Sequence, residues 1–180
     1  MSNLKFVTLF PFFGVPVRMH WSLSLILVLG LLGSTRDISI LVGAASFWGI
    51  LVVHEFGHMF VAQRLGLDVY SIDLYPFHGL CHFELSSDNY PNYLVSWGGI
   101  AAQSLLFIPA LLILTFFHKG MPWYLVTPLL FFGPISACIA LINLAPARGL
   151  DGGICWKALP IFFKRRRGKS KKKGKLKSVK

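Results

Sequence analysis

Apolar runs separated by short polar breaks dominate this chain, and four of them approach the length of a bilayer-crossing helix. They run near Met19 to Thr35, Ile38 to Gln63, Tyr93 to Phe117 and Met121 to Ala145, against a requirement of about 20 apolar residues, with a range of roughly 17 to 25. The first is the shortest. Gly, Pro, Ser and Thr inside such runs are tolerated in lipid more readily than in soluble helices. Between Leu67 and Asn92 the period changes from helical to alternating, in Val69-Tyr70-Ser71-Ile72-Asp73-Leu74-Tyr75 and Leu80-Cys81-His82-Phe83-Glu84-Leu85. With Pro76-Phe77-His78-Gly79 as a turn between them, this predicts a β-hairpin. The predicted fold is an α-helical multi-pass membrane protein, with about four transmembrane helices, a small cytoplasmic-side β-hairpin and a basic disordered tail.

Composition supports a membrane class. Of the 180 residues, 54% are hydrophobic and the mean hydropathy is +0.62, which excludes an ordinary soluble domain. The net charge of +11 resembles a nucleic-acid signal until it is located: 11 of the 18 Lys and Arg lie from Lys164 to Lys180, and the other seven balance the seven acids. The charge therefore belongs to a tail, and no specific nucleic-acid partner is expected. Lys164-Arg165-Arg166-Arg167 and the Lys, Gly and Ser mixture after it bury no core and read as disordered. Residues 1–157 are read as the membrane-embedded core and 158–180 as a basic cytoplasmic tail able to meet anionic lipid headgroups.

Orientation follows from the same residues. Lys5, Arg18, Arg64 and the tail fall on one side, against Arg36 and Lys119 on the other, which places both termini in the cytoplasm. The N-terminal apolar residues are broken by Pro11, Gly14 and Pro16 before Arg18, so no cleavable signal peptide is expected. Cys81, Cys138 and Cys155 are odd in number and lack CxxC spacing, so they read as reduced thiols, Cys138 packed within a helix.

Chemistry enters at His54-Glu55-Phe56-Gly57-His58, the only ionisable residues from Ile38 to Gln63. On a helix, residues four apart share a face, so His54 and His58 can ligate one metal with Glu55 beside it. Ionisable groups inside an apolar helix are costly and usually functional. The second helix runs inward under the charge bias, which puts this motif in the cytoplasmic half of the bilayer. The fourth helix also runs inward and delivers Asn143-Leu144-Ala145-Pro146-Ala147-Arg148-Gly149-Leu150-Asp151-Gly152-Gly153 to the same depth. Alone, this segment marks a helix end, with Asp151 a turn or capping residue. Beside an HExxH helix it acquires another meaning, because catalytic zinc commonly takes three protein ligands, two His and a carboxylate among the standard sets.

Taken together, these motifs resemble the site-2 protease family of intramembrane zinc metalloproteases, which pairs an HExxH helix with a later Asn, Pro and Leu-Asp-Gly motif, here Asn143, Pro146 and Leu150-Asp151-Gly152. Gly14-Val15-Pro16-Val17-Arg18-Met19-His20-Trp21 before the first helix and Gly98-Gly99-Ile100-Ala101-Ala102-Gln103 in the third also match, so the resemblance covers about residues 14 to 155 in order. It implies His54, His58 and Asp151 as ligands of one zinc per chain and Glu55 as the catalytic carboxylate. Gln103 stands where the family often has Asn, and it and Asn143 are implied as substrate-binding amides.

The resemblance implies an intramembrane endopeptidase that cuts transmembrane segments by Glu-assisted attack of zinc-bound water, in a minimal catalytic core. Its expected partners are a transmembrane substrate protein, the lipid bilayer and a separate regulatory partner. The alternative is a non-catalytic relative that holds membrane partners, against which the intact Glu55 argues. A metal-carrying transporter is a third class, opposed by the lack of an internal repeat pairing two broken helices. His78 and His82 flank Cys81, but alternation along a strand sends Cys81 and His82 to opposite faces, so they are not expected to converge on a second metal.

Overall fold

The computed structural model describes residues 6–34 and 38–166. Alternation of Val15, Val17 and Met19 with Pro16, Arg18 and His20 makes a strand, and it pairs with the strand before it. β1 (Phe6–Phe12) and β2 (Val15–His20) are antiparallel, with Phe12 opposite Val15. Phe13 and Gly14 between them both have positive φ, 47° and 80°, as the tightest hairpins require. α1 (Trp21–Ser34) and α2 (Ile38–Arg64) follow, then β3 (Val69–Leu74) and β4 (Gly79–Phe83). α3 (Asn89–Phe117) is the longest helix. The last apolar stretch, Trp123–Asn143, is one continuous helix built from α4 (Trp123–Leu130), a π turn (Phe131–Ile135) and α5 (Ser136–Asn143). α6 (Gly152–Cys155) is one turn, and residues 158–166 are helical.

α2, α3 and Trp123–Asn143 are long and apolar enough to cross a membrane. α1 is not: its 14 residues rise about 21 Å against a hydrocarbon core of about 30 Å. The expected first span is short because β2 takes Met19 and His20 into a sheet.

The predicted hairpin is present as β3 and β4, but it is half of a four-stranded sheet ordered β1-β2-β3-β4. The join is parallel and brief, Val17 to Ile72, Arg18 to Asp73 and Met19 to Leu74. One face of the sheet buries Val15, Val17, Ile72 and Leu74 against Leu23 of α1 and Met59 of α2. On the other face Arg18 grips Asp73 through both carboxylate oxygens, at 2.6 and 2.7 Å, and reaches Ser71 Oγ at 2.9 Å. His82 of β4 lies 3.1 Å from the same carboxylate. One buried aspartate thus ties β2, β3 and β4 together.

α2 and α3 cross at their glycines. A Cβ on Gly57 would strike the Gly98 carbonyl, and one on Gly98 would strike that of Gly57. Small residues let membrane helices approach to backbone contact, and here they bring α3 up to the histidine face of α2.

The C-terminal segment departs from expectation. Residues 158–166 are ordered because Ala158 is buried and Arg165 donates to Asp88 at 2.6 Å while lying 4.3 Å over the Tyr90 ring. Asp88 also caps α3 by accepting from the Tyr90 N–H, and the Arg165 guanidinium followed by that N–H lowers its pKa. The remainder of the basic tail lies outside the described residues, as do Lys5, Arg36 and Thr35. All three cysteines are free. Cys138 is exposed on α5, where it was expected to be packed.

Replacing Asp73 by Ala leaves the Arg18 guanidinium without its partner and removes the link across the short parallel pair. Loss of charge-assisted bonds worth about 1.5–3 kcal/mol corresponds to roughly 10- to 100-fold faster opening. Amide hydrogen exchange at residues 17–19 and 72–74 is expected to accelerate by that order, with α2 and α3 unchanged.

Candidate active site

α2 presents His54, Glu55 and His58 within one and a half turns, all buried. Stacking at four-residue spacing brings the two imidazoles together, with their Nε2 atoms 3.0 Å apart. Asp151 comes from a distant part of the chain. After α5 ends at Asn143, the backbone turns through residues 144–150 and sets Asp151 Oδ2 at 2.9 Å from His54 Nε2 and 3.3 Å from His58 Nε2. The three ligand atoms lie within 4.8 Å of one another, the one such group of His, Cys, Asp and Glu found among the described residues.

The far sides of the rings show what the near sides can do. His58 Nδ1 is 2.8 Å from the Val95 carbonyl, and His54 Nδ1 is 2.9 Å from Gln103 Oε1. A carbonyl oxygen only accepts, so both Nδ1 atoms carry protons, and in the neutral rings both Nε2 lone pairs face each other and Asp151. Such a cluster needs extra protons or a cation among its three atoms. Two ligands on a tetrahedral zinc, each about 2.0–2.1 Å from it, stand about 3.3–3.4 Å apart, close to the observed triangle. Space is left as well. A Cβ on Gly99 would lie 2.5–2.6 Å from ring atoms of His54 and His58, so the glycine keeps α3 from filling the cradle. Two imidazoles and one carboxylate fit zinc in number, donor type and spacing.

Glu55 lies beside this triangle and under β4. The Cys81 backbone N–H donates to its carboxylate, and a Cβ on Gly79 would collide with it. Since β4 ends the sheet, its outer edge borders Glu55. The groups open into a cleft of about 650 Å³ whose wall includes Phe77, Leu85, Asn143 and Ile154.

Both residues implied as substrate-binding, Asn143 and Gln103, line this cleft, but Gln103 is fully buried, with its oxygen occupied by His54 and its Nε2 without a partner. His78, Cys81 and His82 diverge: His78 stacks on Tyr75 with ring centroids 4.6 Å apart, and His82 turns to Asp73. Burial and the Glu55 carboxylate push the Cys81 thiol up to about 12. Sequence reading missed the Val95 carbonyl and the Cys81 N–H, backbone groups that no residue identity announces.

No family model matches the chain. Among curated proteins it is 31% identical to one named as a zinc metalloprotease from Synechocystis, over 82% of this chain and 42% of that protein. It is 30% identical to a zinc metalloprotease of Methanocaldococcus jannaschii, over 97% of this chain and 48% of that one. Among solved structures, a site-2 protease from Methanocaldococcus jannaschii superposes with a TM-score of 0.65 at 25% identity, covering 86% of this chain and 71% of that one. The chain belongs to the site-2 protease family. At family level it stands among metalloproteases, as a membrane protein with three apolar helices of spanning length. This site-2 protease relative spans a little under half the length of the curated proteins it matches.

Zinc in the purified chain is expected at about one equivalent and should disappear in Asp151→Ala, because two His at helical spacing make a weak site without the third ligand. Metal analysis after gel filtration reads this directly. An Asp151→Ala protein that keeps its zinc would separate the two motifs.

Proposed function

We propose that this chain is an intramembrane zinc endopeptidase that cuts transmembrane segments of membrane-protein substrates. The observation that carries the reading is a carboxylate, Glu55, set beside a two-imidazole, one-carboxylate triangle, with the free edge of β4 alongside it. Zinc, when bound by His54, His58 and Asp151, would supply Lewis acidity toward water and the scissile carbonyl.

The chain's own groups do the rest. Glu55 is the general base and afterwards returns the proton to the leaving amine. The Cys81 N–H holds its carboxylate in place. A scissile bond must be unwound, since a helical carbonyl is already bonded within its own helix. The outer edge of β4 suits an extended segment through strand addition, and a segment paired there would run past Glu55. Gly or Pro in the target would ease the unwinding. Asn143, in the cleft wall, would bind the substrate backbone. Gln103 can contribute only its amide N–H2, which would take a carbonyl oxygen.

The charge bias of Arg18, Arg64 and the C-terminal basic residues supports a site in the cytoplasmic half of the bilayer with both termini cytoplasmic. The same basic residues suit anionic lipid headgroups.

The test pairs metal content with turnover. In vesicles with single-span peptides carrying Gly or Pro near their cytoplasmic ends, Glu55→Gln is expected to retain zinc and lose about 10²- to 10⁴-fold in cleavage rate. Undiminished cleavage in Glu55→Gln would remove the mechanism. Stable peptide binding without cleavage by the zinc-loaded unmodified chain would instead assign it a holding role.

A further inference from the structure

Three residues of α3, Val95, Gly99 and Gln103, are spaced by four and form one stripe against the metal triangle. The Val95 carbonyl takes the His58 Nδ1 proton, Gly99 leaves the space in front of the Nε2 atoms, and Gln103 Oε1 takes the His54 Nδ1 proton at 2.9 Å. The first of these contacts comes from the backbone and exists whatever the side chain. The last depends wholly on a side-chain oxygen at this reach.

Gln103 is 0% exposed, and its Nε2 has no hydrogen-bond partner. Burying an amide nitrogen unpaired is unfavourable, so the orientation is set by what the oxygen does. Rotating the amide by 180° would present an N–H2 to His54 Nδ1. The ring would then accept there and carry its proton on Nε2, which faces His58 Nε2 and Asp151. A protonated Nε2 cannot ligate a metal. The amide orientation and the imidazole tautomer are therefore one choice, and the observed choice frees the Nε2 lone pair.

We infer that Gln103 is a positioning residue of the metal centre, holding His54 in the Nδ1–H tautomer and fixing the plane of its ring so that Nε2 is aimed at the ion. The assignment rests on the zinc reading above and adds a second task to a residue that the family pattern marks for substrate. It also explains why the longer Gln serves here: an Asn would carry its oxygen one methylene short of His54.

Zinc affinity measured by chelator competition, the electronic spectrum of the cobalt-substituted protein and thermal unfolding of the metal-free protein test this together. Gln103→Met keeps the side-chain length but has no oxygen to accept the Nδ1 proton. Its zinc Kd is expected to rise about 10- to 100-fold, the usual effect of removing an outer hydrogen bond to a ligand, with a changed cobalt spectrum and near-unaltered metal-free unfolding. Gln103→Glu restores an acceptor at the same reach and should hold zinc within a few-fold of the unmodified chain. If Gln103→Met fails to fold, Gln103→Asn replaces it and should weaken zinc in the same sense. The assignment falls if Met and Asn bind zinc as tightly as Gln, or if Glu is as weak as Met, which would make the position one of packing alone. An unmodified chain that binds no zinc would instead bring down the metal reading itself.

Discussion

Two imidazole lone pairs and a carboxylate oxygen held within about 3 Å of one another, inside an apolar helix pair, are a configuration that only protons or a cation can satisfy. The rest of the molecule is arranged around that constraint. α2 supplies two of the groups by its own periodicity. α3 must come close enough to hold the backs of both rings, which the Gly57–Gly98 crossing permits, and must then stand clear of their fronts, which Gly99 permits. A bulkier pair of helices would leave the rings free to rotate and the triangle undefined.

The sheet answers a different need, to place a strand edge beside Glu55. β3 and β4 form a simple hairpin, which by itself is marginal in isolation. Its attachment to β2 is a parallel pair only three residues long. The apolar face packing on Met59 sets the height of the sheet over α2, and the Arg18–Asp73–His82 contacts on the opposite face fix its register. A one-residue slip would turn Ile72 and Cys81 outward and carry the N–H that holds Glu55 away from it.

Much of this was legible in the sequence where one local rule was enough. Helical spacing identified His54, Glu55 and His58 as a unit, apolar length located α2, α3 and Trp123–Asn143, and alternation located β3 and β4. The failures have a common cause. Val15 to His20 alternates as clearly as β3 does, but it abuts an apolar helix, and its last two residues, Met19 and His20, read as the start of that span. The partnership of β1 and β2 with β3 and β4 is long-range and has no local sign. The order in residues 158–166 likewise comes from contacts with Asp88 and Tyr90, far away in sequence. The positions that steer His58 and Glu55 are backbone atoms, so the pattern of side chains could not name them.

Asp151 is the one member of the triangle that α2 does not carry, and its arrival depends on how the chain after α5 is fastened. Trp97 of α3 donates to the Cys155 carbonyl at 2.9 Å, and Trp156 donates back to the Leu144 carbonyl at 2.8 Å, closing the 144–156 turn upon itself and upon α3. The two indoles meet edge to face at 5.3 Å. Arg165 adds a third attachment at the start of α3. A metal shared by His54, His58 and Asp151 would be a fourth, and the only one reaching α2. Binding to the docked arrangement alone stabilises that arrangement by about 2.7 kcal/mol at 100 times Kd. The metal would then be both the reactive centre and the tie that keeps the C-terminal turn on the HExxH helix, while the tryptophan and arginine contacts keep the turn near enough for the third ligand to find its place.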